Sequence, residues 1–560
     1  MSADLHINHH QLAARPGPTL FEYAEGCGVN VPTSCRKQGK CKECLLEVVE
    51  GMEFLTDRTS AEAHLKDRFR LACCTGLKAD SGTIRCHTLR RGEMRIERHA
   101  FHLPARQPDF KPDPPVVREG ERVFIDGREV GRTQGPIHGL AMDLGTTTVV
   151  LRLLNLETGE VVADASFENP QRFGGSDVMA RIQYDSEDGS HLLRRTLAGY
   201  MARAVQDFPV DSNSIYELVV VGNATMRDLF FGLDVRSIGQ NPFQSVTELA
   251  VQAGQCEGTA LCETARRLRL PLHPNARVYG LPIISGHVGA DAAACMLAVN
   301  LGREERLVAI MDIGTNTELI LGNKDRILAA SCPAGPAFEG GRITCGMPGL
   351  PGAIERVRMR SGGGFDLRVI GDGVPEGICG SGLVDLLGEL IKHQQINILG
   401  RFTNGDKSRV IFDSEEDRVV FTQADVIELA QAKAAHAAGL QIVFDEYGKT
   451  FEDLAVFYIA GGFGRHLNLE ASQEIGLIPC VSPRKIVQVG NAAIEGACIA
   501  LLSQSRRLEL EALVRRVVHC RLETHPRFFD FFVEGCQFRP ITRDQRGLSS
   551  GGVGETGRSR

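Results

Sequence analysis

The chain has 560 residues, 43% of them apolar and 24% charged, with a net charge of −7. That length exceeds what one hydrophobic core supports, so two or three domains are expected. Arg and Lys are interleaved with Asp and Glu and leave no footprint for nucleic acid, no apolar run approaches the ~18 residues of a membrane span, and the N-terminus has no secretory signal. The expectation is a cytoplasmic protein with neither a nucleic-acid nor a membrane partner.

In chain order, Asp4–His9 and Leu45–Val49 alternate as short strands, and Leu20–Ala24 starts a short helix that Gly26 and Gly28 end. Residues 1–97 read as one small domain. It is crowded with thiols: seven of the 17 cysteines (Cys27, Cys35, Cys41, Cys44, Cys73, Cys74 and Cys86) fall within its first 86 residues. In a reducing compartment such crowding points to metal rather than to disulfides. Cys35-x5-Cys41-x2-Cys44, followed after 28 residues by Cys73, has the spacing of a [2Fe–2S] site. There one loop supplies three thiolates and a distant segment the fourth. Gly39 gives that loop the freedom to turn tightly. The five-residue first gap resembles the adrenodoxin-like branch of the plant-type ferredoxins. In those proteins the last ligand follows a basic-apolar-small tripeptide; Arg70-Leu71-Ala72 precedes Cys73, which selects it over Cys74. Relatives often carry Gly where Arg36 and Lys42-Glu43 stand here. A four-cysteine zinc site is the competing reading, but it usually needs two Cys-x2-Cys pairs and only one is present. Cys27 and Cys86 read as packed thiols.

Residues 98–137 are Pro-rich and aperiodic at their start and read as an extended linker. From 138 to 543 apolar strands alternate with helical segments, an α/β pattern; residues 544–560 read as a disordered tail. The large domain contains a repeat. His138–Val150 (HGLAMDLGTTTVV) and Val308–Ile320 (VAIMDIGTNTELI) both run a strand into Asp-x-Gly-Thr-x-Thr and out into a second strand. A duplicated subdomain is expected, with lobes at about 138–300 and 301–543 and one loop from each facing a shared cleft. Gly145, Thr146 and Thr147 in the first loop, and Gly314, Thr315 and Asn316 in the second, supply close backbone approach and polar groups for phosphate. Asp143 and Asp312 at the strand ends can hold Mg²⁺ directly or through water. Gly461, Gly462 and Gly464 follow a third strand, where adenosine would lie against backbone. This trio resembles the superfamily of actin, the heat-shock chaperone ATPases and the acetate and sugar kinases. The implied fold is an α/β multidomain protein: a β-grasp [2Fe–2S] ferredoxin-like domain followed by a duplicated RNase H-like ATPase domain that binds ATP. A P-loop is excluded, because Gly448-Lys449-Thr450 has Val443 at the required glycine.

Across most of its length the chain resembles the reductive activators of corrinoid enzymes. The resemblance rests on Gly28–Pro32, Asn169–Arg172, Val221–Met226, Ala334–Gly340, Gly377–Gly382 and Val489–Ala493. It implies ATP-dependent return of Co(II) to Co(I) in the corrinoid protein of a methyltransferase or demethylase system. It also implies an external low-potential electron donor (ferredoxin, flavodoxin or reductase) and is compatible with a homodimer. On this reading Asp143 and Asp312 position Mg²⁺ and the attacking water, while Thr146, Thr147, Thr315 and Asn316 hold phosphates. Ser331 offers a hydroxyl near cobalt, with a strand-end capping role as its alternative. The segment between ferredoxin and ATPase is shorter than in longer relatives. Competing readings are a ferredoxin-type electron-transfer subunit without ATP drive and a small-molecule kinase with a regulatory ferredoxin domain. An activator of radical enzymes is disfavoured by the plant-type cysteine spacing.

Overall fold

Alternation in Ala3–Ile7 puts Ala3, Leu5 and Ile7 on one buried face, and this strand (β1) starts the first domain. It pairs antiparallel with β2 (His10–Ala14) and parallel with β5 (Thr83–Thr88). Helix α1 (Leu20–Gly26) is set by a capping box between Thr19 and Glu22. With β3 (Leu45–Glu50) and β4 (Phe69–Leu71), the sheet has the order β2-β1-β5-β3-β4, a β-grasp arrangement. The computed structural model describes residues 2–66, 68–89, 103, 110, 112–414, 417–462 and 464–542. The tail assigned to 544–560 and most of the Pro-rich stretch before 112 lie outside them.

The stretch read as a linker over 98–137 is not extended throughout. Residues 116–132 form a three-stranded antiparallel sheet of β6 (Val116–Glu119), β7 (Arg122–Ile125) and β8 (Arg128–Arg132). The turn between β7 and β8 is Asp126-Gly127, both at positive φ, the dipeptide that a two-residue hairpin favours. Weight given to the prolines upstream hides this signal. Asp113 runs beside Ser503, taking a hydrogen bond from the Ser505 amide at 3.0 Å.

The large domain is two copies of one sheet plan. In lobe I, β9 (His138–Leu144), β10 (Thr148–Asn155), β11 (Val161–Glu168), β12 (Ile215–Val221), β13 (Leu261–Thr264) and β14 (Arg277–Gly280) lie in the order β11-β10-β9-β12-β14-β13. Its helices are α2 (Val178–Glu187), α3 (Leu192–Gln206), α4 (Ala224–Phe231), α5 (Val246–Gln252), α6 (Ala265–Leu268) and α7 (Ala290–Ala298). In lobe II, β15 (Val308–Ile313), β16 (Thr317–Gly322) and β17 (Ile327–Cys332) repeat the meander of β9, β10 and β11. A small sheet of β18 (Ala353–Met359), β19 (Phe365–Val369) and β20 (Gly377–Ile378), helix α8 (Gly380–Lys392) and a hairpin of β21 (Ser408–Asp413) and β22 (Arg418–Thr422) are then inserted. Helix α9 (Gln423–Tyr447) follows, opened by a Thr422–Asp425 capping box and ended by Gly448 in the left-handed region. Strands β23 (Val456–Ala460) and β24 (Ile486–Gly490), separated by α10 (Leu469–Glu474), complete the order β24-β23-β15-β16-β17, with β25 (Val518–His519) at the far edge. The central strand β12, Ile-Tyr-Glu-Leu-Val-Val-Val, is buried throughout, as a strand with parallel neighbours covered on both faces should be.

The lobes do not divide cleanly at residue 300. Helix α11 (Ala492–Leu502), which follows β24, returns to pack on β9, β12 and α7 of lobe I, and α12 (Gln504–Val514) follows it. Only then does the chain re-enter lobe II through β25 and α13 (Phe528–Gly535). Where α7 and α11 cross, a Cβ on Gly496 would stand 2.1 Å from the Ala294 carbonyl oxygen, so only glycine permits that approach. No helix among the described residues is long and apolar enough to cross a membrane.

Candidate functional site

The two repeated hairpins face one another. Each closes on its glycine: Gly145 N–H donates to the Thr148 carbonyl at 2.9 Å, and a Cβ there would stand 2.7 Å from that same oxygen. The second turn is nearly as tight, with the Asn316 carbonyl oxygen 3.3 Å from the Cβ position of Gly314. The hydroxyls of Thr147 and Thr315 come within 3.2 Å of each other. Both donate to one carboxylate, Glu339; the Thr147 bond is 2.8 Å. Thr146 Oγ1 accepts from Asn223 Nδ2 at 3.0 Å, and Asp143 Oδ2 accepts from Asn491 Nδ2 at 2.8 Å. Asp143, Gly145, Thr146, Thr147, Asp312, Gly314, Thr315, Asn316, Gly461 and Gly462 all line one cleft. Its free space, counted with the open mouth, is about 1310 Å³. Gly461, at φ +101°, has the Ile313 carbonyl 2.3 Å from its Cβ position, so the third loop lies against the second hairpin.

The cleft is strongly acidic. Burial, opposed by the Asn491 hydrogen bond and reinforced by Asp312, pushes the Asp143 carboxyl up to about 7. Burial raises Asp312 to about 6. Burial and the neighbouring Asp312 and Asp143 raise Asp291 to about 7. Glu318 is driven up by burial and by Asp291 and Asp312. Glu339 is also raised by burial, despite its two threonine donors and the fields of Arg172 and Arg181. Buried carboxyls gathered this closely stay neutral or wait for a cation. Polar donors on the two hairpins and an acid cluster below them fit a polyphosphate that brings its own metal.

The cysteine loop has its own geometry. Its backbone passes through the left-handed region at Arg36, Lys37, Gly39 and Lys42 (φ 54°, 64°, 68° and 66°). Arg36 and Lys42 therefore stand where related loops use glycine because the conformation favours it. Cys44 Sγ and Cys73 Sγ are 3.3 Å apart, and Cys74 Sγ lies 3.7 Å from Cys73 Sγ. The Cys44 thiol, donating to Cys73, holds Cys73 down to about 6 against the opposing effect of burial. Burial and that neighbour push Cys74 up to about 11. Burial opposes ionisation of Cys35, but the amides of Cys41, Lys40 and Gln38 and the Cys41 thiol bring it to about 7. N–H groups already aimed at the Cys35 sulfur and the lowered Cys35 and Cys73 thiols fit the thiolates of an iron–sulfur cluster, while Cys44 is pushed up by its bond to Cys73 and by burial. Cys74 instead packs beneath the loop, its sulfur 2.7 Å from where a Cβ on Gly39 would be. The basic-apolar-small tripeptide has a physical role: Arg70 pairs with buried Glu62 at 2.8 Å, and Leu71 and Ala72 are fully buried.

Three family models match the chain in succession: a 2Fe-2S iron-sulfur cluster binding domain over 5–78, the RACo middle region over 138–304, and the C-terminal domain of RACo, the ASKHA domain, over 306–546. Corrinoid activation enzyme RamQ of Eubacterium limosum is 29% identical over 91% of this chain and 94% of that protein. A [Co(II) methylated amine-specific corrinoid protein] reductase of Methanosarcina barkeri is 25% identical over 71% of this chain and 76% of that protein. The solved structure of a reductive activator for corrinoid, iron-sulfur protein has a TM-score of 0.70 at 26% identity, over 96% of this chain and 99% of its own. The chain belongs to the reductive activators of corrinoid proteins.

Two residues singled out from the sequence stand apart from the cleft of this reductive activator. Ser331, on β17, directs its hydroxyl to Glu318 at 3.4 Å and is not among the cleft-lining residues. Gly464 opens a short turn of which His466, not Gly464, lines the cleft; its carbonyl accepts from Gln488 at 2.7 Å. Polar residues of the activator's cleft that were not singled out as site residues include Asn223, Asp291, Glu318, Glu339 and Asn491. For the two asparagines a signal existed. Val-Gly-Asn-Ala occurs at 221–224 and again at 489–492, each time leaving a strand and capping a helix with Asn. Glu339 lies in the Ala334–Gly340 stretch on which the resemblance rests, whereas Asp291 and Glu318 carry no such pattern and only folding brings them to it.

Proposed function

We propose that this chain reductively activates a corrinoid protein, passing one electron from its ferredoxin unit to Co(II) under control of the nucleotide bound between lobes I and II. The observation that carries this reading is the meeting of Thr147 and Thr315, one from each lobe, on Glu339. A phosphate seated there touches both lobes, so its arrival or loss can open or close the cleft. Cys35, Cys41, Cys44 and Cys73 would hold the [2Fe–2S] cluster, which supplies one low-potential electron at a time.

For every ~100 mV by which the acceptor couple lies below the cluster, delivery of one electron costs about 2.3 kcal/mol. Nucleotide-driven closure can offset this by binding one state of the partner more tightly. Asp143 and Asp312 hold Mg²⁺ and orient water towards the terminal phosphate. Thr146, Thr147, Thr315 and Asn316 hold the phosphate oxygens, while Gly461 and Gly462 lie against adenosine. The electron donor is an external low-potential reductant.

The test is a single-turnover assay with the anaerobically reconstituted protein, a Co(II) corrinoid protein and a chemical reductant. The absorbance of Co(II) is expected to fall with ATP and to persist without it. Equal yields in the two conditions would remove nucleotide control.

A further inference from the structure

The ferredoxin unit rests on lobe I through the turn between β11 and α2. Tyr184 Oη donates to the His64 carbonyl at 3.2 Å, and the rings of His64 and Phe173 meet edge to face. Helix α3 leaves room at Gly199 for Glu43, whose Cδ is 2.8 Å from the Cβ position there. Glu43 lies between Cys41 and Cys44, so the cysteine loop is turned towards lobe I. Beside these contacts, Arg172 approaches Glu47 of β3 at 3.4 and 3.5 Å and Glu168 of its own lobe at 3.4 Å. A guanidinium committed to one carboxylate closes to about 2.8 Å; this one is shared.

Arg172 is also tied to the phosphate hairpin. Three residues upstream, Asn169 donates its amide to the Thr147 carbonyl at 2.7 Å and its Nδ2 to the Gly145 carbonyl at 2.8 Å. Pro170 and Gln171 between them are buried. Arg172 and Arg181 are the cations whose field reaches Glu339. Arg181 is engaged with the Thr146 and Gly175 carbonyls at 2.6 and 3.0 Å, which leaves Arg172 the freer of the two.

We propose that Arg172 is a positioning residue that couples the two domains: it holds the ferredoxin unit through Glu47 while the cleft is free of phosphate, and is drawn to Glu339 when phosphate enters, releasing that unit. The inference rests on the nucleotide reading above. Phosphate oxygens take over the hydroxyls of Thr147 and Thr315. Glu339 then loses both donors, and a buried carboxylate without partners is costly. Arg172, one of the two cations whose field reaches Glu339, can restore its balance by leaving Glu47. The cysteine loop, released from α3, becomes available to donor and acceptor.

Hydrogen exchange on the full, anaerobically reconstituted chain tests this, with and without Mg²⁺ and a non-hydrolysable ATP analogue. The analogue should protect the amides of 143–148 and speed exchange at least fivefold in 61–66, the segment facing lobe I. Glu47→Gln should exchange fast at 61–66 in both conditions. Glu339→Gln should be slow in both, because a neutral amide exerts no pull on Arg172. Protection at 143–148 with no change at 61–66 overturns the coupling and leaves nucleotide binding intact. Absence of protection at 143–148 removes both. A wild-type response in either variant also overturns the coupling. The visible spectrum of the cluster reports that the variants remain folded; should Glu47→Gln lose it, Glu339→Gln decides alone.

Discussion

Thr147 and Thr315 lie 168 residues apart in the chain, yet their hydroxyl oxygens are 3.2 Å apart and share the Glu339 carboxylate. This is the point at which the duplicated halves touch through their repeated motif. Neither lobe can shift at its hairpin without disturbing the other.

Replacing either threonine by valine removes one donor to Glu339 and, on the proposed reading, one to phosphate. A hydrogen bond to a charged group is worth about 1.5–3 kcal/mol, so the KM for ATP should rise by roughly 10-fold or more in Thr147→Val and in Thr315→Val. Because both act through Glu339, the double variant should lose less than the product of the two. Steady-state ATP hydrolysis measures this; strict additivity would mean that the two hydroxyls act on separate groups.

Asp143→Asn keeps the shape of the side chain but removes a negative charge from the acid cluster. If Asp143 positions the metal and water, kcat for ATP hydrolysis should fall by about 10²-fold or more, with ADP affinity changed only a few-fold. Calorimetric titration of ADP beside the ATPase assay separates the two effects. A variant that hydrolyses at the normal rate would assign Asp143 a structural role.

The adjacent thiols should part company on mutation. Cys73→Ser removes the sulfur that meets Cys44, and the visible absorbance of the reconstituted cluster should be lost or strongly altered. Cys74→Ser should keep it, since that sulfur lies under Gly39 rather than opposite Cys44. Gly39→Ala should fail to load, because its Cβ would meet Cys74 Sγ at 2.7 Å from a backbone at φ +68°. Absorbance and EPR of the three variants, prepared side by side, check this.

What the sequence discloses here follows from what is local. Cysteine spacing, the Asp-x-Gly-Thr turns and the glycines after β23 are each carried by a few consecutive residues, and the structure gathers the two hairpins and Gly461 and Gly462 into one cleft. Features that depend on tertiary return were hidden. Helix α11 crosses back to lobe I because Gly496 permits contact with Ala294, and no local pattern marks that partner. Asp291 and Glu318 come from separate elements and look like ordinary acidic residues until their burial is known. The β6–β8 sheet was legible in principle: the β-prone run Val123-Phe124-Ile125 leads into Asp126-Gly127, but neighbouring prolines outweighed it.

Glu62 ties the Arg70–Cys73 segment, proposed to carry the cluster's distant ligand, to the rest of its domain, and its ionisation makes that tie sensitive to acid. Fully buried, it accepts from Arg70 Nε at 2.8 Å and from the amides of Leu71 and Thr59 at 3.0 Å each. Burial works against its charge, but these partners overcome burial and hold the carboxyl at about 2, below its ordinary 4.5. A folded value below the unfolded one means that the unfolded chain binds the proton first as pH falls. The stabilisation is therefore fully present above about pH 4.5 and is lost as pH falls towards 2, and a difference of that size is worth about 3 kcal/mol. Glu62→Gln should lose a comparable amount at pH 7, since Arg70 is left buried and short of its counter-charge, and should show a flatter dependence of stability between pH 5 and 2. Urea unfolding of the full reconstituted chain, followed by cluster absorbance across that range, measures both. A variant as stable as wild type at pH 7 would show that the Glu62–Arg70 pair does not anchor Cys73.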